Sequence, residues 1–221
     1  MGNSILTPKQ HQFLELASTE KQIVNHFYLT GGTALAAFYY QHRLSEDIDL
    51  FCEKHEVNPD TTEAFVRKLT TKLGVSQLKV SQFLGLVSFL LIYTDSETLK
   101  IDFNYYPFPR IEKGTAFKQL SIDSIYDIAV NKVHTMFMRP RSRDYLDLYS
   151  IFQKENYTLD KLILDAKAKF DWDIDRTTLA SQFMRVKDFT ELPKMLVPFN
   201  RDEMVEFYIN LAKSLKKDIF R

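Results

Sequence analysis

The sequence predicts an α+β fold, a mixed sheet followed by a helical region, from three observations. Short β-rich runs succeed one another between Leu78 and Tyr105. A helical pattern over Thr62 to Leu73 separates them from an earlier acidic strand. Beyond Ser121 the apolar spacing is helical for most of the chain. Pro107 and Pro109 are expected to end the sheet, because proline cannot sustain a ladder. The expected division is therefore residues 1–110 and residues 111–221.

Composition bounds the function. With 45% apolar and 14% aromatic residues over 221 positions, the chain has ample material for a core. Lys plus Arg and Asp plus Glu each total 29, so no global field draws the protein to nucleic acid or membrane, and any such contact needs a local patch. The single cysteine, Cys52, excludes an intramolecular disulfide framework and suits a reducing compartment. MGNSILTPKQHQF lacks the basic-then-apolar layout of a secretion signal, and no apolar run approaches about 18 residues. A cytoplasmic protein with no membrane contact is expected.

Taken in order, Phe13, Leu14, Leu16, Ala17, Ile23 and Val24 recur at near-helical spacing after Pro8, with a break near Ser18. Tyr28 to Thr30 reads as a short strand and Thr33 to Tyr40 as a helix. Asp60 or Thr61 suits the cap of the helix to Leu73, which Gly74 ends. Strands are expected over Leu78–Phe83, Leu86–Thr94 and Leu99–Tyr105, with Asp95, Ser96 and Glu97 turning between the last two. A helix over Ser124–Met138 precedes the helix carrying Asp144, and three more follow over Thr158–Phe170, Arg176–Lys187 and Asp202–Ile219. Trp172, Phe183 and Phe207 read as core residues. Lys213, Lys216, Lys217 and Arg221 make a basic helix end that suits the macrodipole.

The chemistry concentrates in LTGGTALAAFYYQHRLSEDIDL, residues 29–50. In a strand, Asp47 and Asp49 point to one face and Ile48 and Leu50 to the other. Two carboxylates about 6–7 Å apart repel each other and invite a cation, and hard oxygen ligands suit Mg²⁺ or Mn²⁺. Upstream, Gly31 and Gly32 permit a tight turn whose N–H groups attract anions. In LKIDFNYY, Leu99, Ile101 and Phe103 share one face and leave Lys100, Asp102 and Asn104 on the other. If that strand adjoins the first, Asp102 becomes a third acid.

The order GGT, apolar helix, Arg43, Ser45 and then DID resembles the active-site signature of polymerase-β-like nucleotidyltransferases. GGTAL followed by RLSEDIDLF is similar to the AbiEii/AbiGii-type nucleotidyltransferase toxins of toxin–antitoxin and phage-defence systems, with the resemblance running from about Phe27 to Phe152. It implies a catalytic core over 1–110 and a helical region over 111–221 that completes the nucleotide and acceptor cleft. It also implies an enzyme that moves a nucleoside monophosphate from an NTP to RNA, with tRNA 3′ ends the leading acceptor, and that is countered by a cognate antitoxin. Asp47, Asp49 and Asp102 would hold Mg²⁺ or Mn²⁺, with Asp102 accepting the proton of the attacking hydroxyl. Gly31, Gly32, Thr33 and Ser45 would bind the β- and γ-phosphates, while Arg43 and Lys132 neutralise charge. Lys132 sits on the apolar stripe of its helix, and the family has a lysine in a pattern like NKVHTMFMRPRSRDYLDLY. Asp144 is the expected inward acid, paired with Lys132 or Arg143, ahead of Asp147, which is read as turned toward Arg143 and Ser150. Arg139, Arg141 and Arg143 form a basic cluster suited to phosphate. Two alternatives stay open: transfer to a small molecule or protein, and a nucleotide-binding module without catalysis. The base of the NTP, the acceptor and the oligomeric state are not legible.

Overall fold

The computed structural model describes residues 5–219, with side chains through residue 215. The chain forms two compact units. One comprises the residues up to Tyr39 together with Leu44–Ser124, and the other comprises Tyr40–Arg43 and the residues from Ile125 onward.

In the first unit, helix α1 (Pro8–Ala17) begins with Pro8 at its first position and a reciprocal cap in which Thr7 and Gln10 serve each other's backbone N–H. Helix α2 (Lys21–His26) follows the break expected near Ser18 and leads into strand β1 (Tyr28–Thr30). Helix α3 (Gly31–Leu35) starts two residues earlier than expected and widens into a π-helical turn over Ala36–Tyr40. Strand β2 (Ile48–Cys52) alternates as predicted, with Ile48, Leu50 and Cys52 buried and Asp49 and Phe51 half-buried. Helix α4 (Pro59–Leu73) is capped by Asn58, not Asp60 or Thr61. Pro59 fits the first helical turn, where its missing N–H costs nothing, and this sets the start earlier.

Strands β3 (Val75–Phe83), β4 (Leu86–Tyr93) and β5 (Thr98–Tyr105) form the expected meander. The sheet does not end at the prolines. Strands β6 (Ala116–Phe117) and β7 (Leu120–Ile122) rejoin it, and β7 pairs in parallel with β1. The boundary accordingly lies at Ser124 rather than at residue 110. Gly114 permits this return, because a Cβ there would stand 2.0 Å from the Ile122 carbonyl oxygen. The seven strands run in the order β3-β4-β5-β2-β1-β7-β6.

Cross-strand register puts Val87, Phe89, Ile101, Phe103, Ile48, Leu50 and Leu29 on one face of the sheet. The Phe103 ring centres an aromatic cluster there, 5.1 Å from Phe27, 5.7 Å from Phe89 and 6.4 Å from Phe65 of α4. That burial contributes to the apolar stabilisation of this unit. The opposite face carries the polar residues.

The second unit packs helices α5 (Ile125–Met138), α6 (Ser142–Lys154), α7 (Leu159–Phe170), α8 (Arg176–Met184) and α9 (Arg201–Ile219). A 3₁₀ turn, Arg185–Asp188, extends α8 to where the longer helix was expected. Its core holds Tyr145, Phe183 and Tyr208, and the Tyr208 hydroxyl donates to the Tyr145 carbonyl at 2.8 Å. Phe207 packs on Tyr149 and Phe152. Trp172 is not core: it follows the left-handed residue that ends α7 and is 57% exposed. Of the basic end of α9, Lys213 is exposed, and the side chains of Lys216, Lys217 and Arg221 lie outside the described residues. Among the described residues no helix is long and apolar enough to cross a membrane.

Candidate active site

Parallel pairing of β2 with β5 sets Asp49 directly beside Asp102, as the polar alternation of both strands requires. The row continues across the sheet. Ser88 of β4 opposes Asp102, and Thr30 of β1 opposes Asp49. Ser88 Oγ donates to Asp102 Oδ1 at 2.5 Å, and the Lys100 ammonium donates to Oδ2. Thr30 Oγ1 donates to Asp123 Oδ2 at 2.6 Å, and Asp123 is fully buried. Two carboxylates thus lie in register on neighbouring strands, and that of Asp102 is held by a cation and a hydroxyl.

The glycine turn closes onto this row. Gly31 has φ +72°, and a Cβ there would stand 2.8 Å from Asp49 Oδ2, so any other residue would both strain the backbone and push the acid away. Thr33 Oγ1 donates to the Asp47 carbonyl and lies 2.8 Å from Ser45 Oγ, fixing the loop before β2. Gln10, buried in α1, holds the same loop with its amide on the Ser45 and Glu46 carbonyls at 2.8 and 3.0 Å. Gly31, Thr33, Ser45, Asp47, Asp49 and Asp102 are therefore all built into the first unit. Gln10 and Ser88 belong to this surrounding shell and were not foreseen, whereas Lys100 shares the Asp102 face as expected. A glutamine on the buried stripe of a helix was the visible signal for the first.

Asp49 and Asp102 are hard oxygen donors in strand register, which suits Mg²⁺ or Mn²⁺ in donor type. Among the described residues, no three His, Cys, Asp or Glu side chains stand together as a ready metal-holding group. A divalent ion at Asp102 would compete with the Lys100 ammonium, which is 42% exposed and has a path into solvent.

The second unit holds the other expected site residues in a different setting. Lys132 Nζ lies 2.6 Å from Asp144 Oδ1 and 2.8 Å from Asp147 Oδ2. Arg43 Nε and Nη2 fork both Asp147 oxygens at 2.7 and 2.8 Å, and His42 Nε2 is 2.9 Å from Oδ1. Asp147 is fully buried and Lys132 is 8% exposed. Burial alone would raise the Asp147 pKa, but Lys132 and Arg43 outweigh it and hold the carboxyl well below the usual range. Burial would likewise lower the Lys132 pKa, and the two acids raise it instead. Asp144 points inward as expected and pairs Lys132. Asp147, expected to turn toward Arg143 and Ser150, is instead the centre of the cluster. Arg43 and Lys132, expected at phosphates, are each engaged by these carboxylates. Of the arginine cluster, Arg139 and Arg141 are exposed and Arg143 is half-buried.

Comparison with known proteins agrees with this architecture. A relative from Aquifex aeolicus (strain VF5), the uncharacterized protein aq_aa25, is 29% identical over 193 residues, covering 86% of this chain and 88% of its own. The crystal structure of JHP933 from Helicobacter pylori superposes with a TM-score of 0.59 at 20% identity, covering 96% of this chain and 94% of that one. A second H. pylori structure gives 0.60 at 20% identity, with 96% and 97% coverage. At such identities these structures show the shared fold. The model of the nucleotidyl transferase AbiEii toxin family, Type IV toxin–antitoxin systems, matches residues 16–210. With nearly the whole chain matched and the glycine turn seated against paired acids, this protein belongs to the AbiEii nucleotidyltransferase toxin family and is a nucleotidyltransferase.

Proposed function

We propose that the chain transfers a nucleoside monophosphate from an NTP to the 3′ end of an RNA, with tRNA the leading acceptor, in a metal-dependent reaction. The observation that carries this reading is the in-register Asp49–Asp102 pair with Gly31 packed against it. Asp47, Asp49 and Asp102 would hold Mg²⁺ or Mn²⁺, which when bound supplies charge neutralisation and polarisation at the phosphates. Gly31 and Gly32 N–H groups and the Ser45 hydroxyl orient the β- and γ-phosphates, with the buried Thr33 hydroxyl holding Ser45 in place. Asp102 takes the proton of the acceptor hydroxyl as its oxygen bonds the α-phosphorus. The bond from the α-phosphorus to the bridging oxygen breaks, and pyrophosphate leaves.

Arg43, Lys132 and Asp144 take a supporting role in this reading. Their cluster sets two positive groups against two carboxylates and is neutral as a whole, so it offers little net attraction to a phosphate. The buried single cysteine fits action in the cytoplasm, and the toxin family fits a cognate antitoxin and a part in phage defence. Transfer of labelled nucleotide, with total tRNA, protein and an aminoglycoside offered together and Mg²⁺ supplied or chelated, tests the reading. Label is expected on tRNA only, and only with the metal. Label confined to the small molecule or to protein would overturn the acceptor assignment.

A further inference from the structure

Between α5 and α6 the chain passes through Arg139, Pro140 and Arg141. This link and the segment from Arg185 to Glu191 line one cleft of about 790 Å³ within the helical unit. The side chains of Arg139, Arg141 and Arg185 are exposed there, while the backbone beneath two of them is fastened. Arg139 N–H donates to the Thr135 carbonyl at 3.0 Å, Pro140 is buried, and Arg141 N–H donates to Asp144 Oδ2 at 2.8 Å. Since Lys132 grips the other Asp144 oxygen, the buried ionic cluster sets the position of the arginine link. Guanidiniums on a preset backbone lose less freedom on binding, and each can fork a phosphate.

Charge and size narrow the ligand. The cleft has three guanidiniums against the carboxylates of Asp188 and Glu191, and Asp188 lies 3.5 Å from Arg185 Nε, so its net charge is only about one positive. That balance suits singly charged phosphates spaced along a strand better than a compact triphosphate. Phe189, half-buried and tilted on the Tyr145 ring at 5.1 Å, adds an aromatic surface of the kind that bases stack on. We propose that this cleft is a subsite for single-stranded RNA, where Arg139, Arg141 and Arg185 contact backbone phosphates and Phe189 packs against a base. The inference rests on the RNA-acceptor reading above and concerns an unpaired stretch of the acceptor rather than its reacting terminal hydroxyl.

Fluorescence anisotropy of a labelled single-stranded oligoribonucleotide on the full chain tests it, alongside binding of a non-hydrolysable NTP. Arg139→Gln with Arg185→Gln is expected to weaken strand binding by roughly 30-fold and to reduce the salt slope by about 1.4, while NTP affinity stays within about twofold. Phe189→Leu is expected to weaken strand binding by about five- to tenfold with little change in the salt slope. Unchanged strand affinity in the double variant would overturn the proposal. So would an equal loss for the NTP, which would assign the cleft to the nucleotide. All three residues are exposed or half-buried, and an unchanged thermal midpoint would show that folding is intact. Asp49→Ala separates the two readings: transfer persisting in that variant would sink the catalytic assignment and leave the cleft measurements standing.

Discussion

The two units assemble the same kinds of side chain, aspartates with lysine, arginine and hydroxyls, to opposite ends. In the sheet, Asp49 is half-buried and Asp102 is bonded by Ser88 and by a Lys100 that reaches solvent. In the helices, Asp147 is sealed and met by Arg43, Lys132 and His42 at once. A buried acid with every oxygen answered by a cation holds structure, because its charge is already balanced. An acid row at a half-open sheet face keeps capacity for a ligand that arrives later. The exposure of Asp49 and Lys100, rather than residue type, separates the two.

The contrast is broken most directly by exchanging outcomes. Asp49→Ala should lower transfer by roughly a thousandfold, since a group that acts on the reacting phosphate supplies about 4 kcal/mol, and leave denaturant unfolding nearly unchanged. Asp147→Asn should do the reverse in stability, costing about 3–5 kcal/mol by urea titration, because it leaves Arg43 buried without its counter-ion and Lys132 with Asp144 alone. A stable but inactive Asp147→Asn protein would move the cluster into the catalytic machinery. Gly31→Ala should reduce turnover by about a hundredfold through displacement of Asp49, with about 1–2 kcal/mol of backbone strain.

Acid should find the helical cluster too. The folded Asp147 pKa is depressed, so its contribution is present above the unfolded value of about 4 and is lost as pH falls through the lower folded value. Lys132 has the opposite sign: its raised pKa gives stability that is present below about pH 10.4 and lost as pH rises through the folded value. Urea midpoints measured across pH should therefore fall at both extremes, and Asp147→Asn should flatten the acid limb. The smallest effect sharpens the other side. Lys100→Met should tighten Mn²⁺ binding by a few-fold, read by paramagnetic titration, because the metal no longer displaces an ammonium from Asp102.

Much of the sheet unit was readable because its pattern is local. A period of two separates Asp49 from Ile48 and Leu50, and the same period sets Asp102 apart from Ile101 and Phe103, whereas Asp47, expected within the strand, falls one residue before β2. That β2 and β5 adjoin was a supposition which the register bears out. Strands β6 and β7 escaped because two- and three-residue strands carry no period, and β7 pairs with β1 about 90 residues away. Asp147 was misread for a related reason. Residues 144 to 148 of α6 are all buried, so its apolar neighbours do not single out one inward position, and the partners that decide it lie at positions 42 and 43. Trp172 shows the converse, a large apolar residue left outside because the helix before it stops.

The four residues Tyr40–Arg43 belong to the helical unit although sheet residues flank them on both sides. There His42 accepts from the Leu196 N–H through its carbonyl at 2.9 Å, Arg43 bridges to Met195, and Tyr40 donates to Glu155. The gene is therefore not two modules in tandem. A cut after Ser124 would strand Asp147 without its arginine, so neither recombination at that point nor separate expression of the C-terminal half delivers a self-sufficient piece. Both halves must be inherited, translated and folded as one polypeptide.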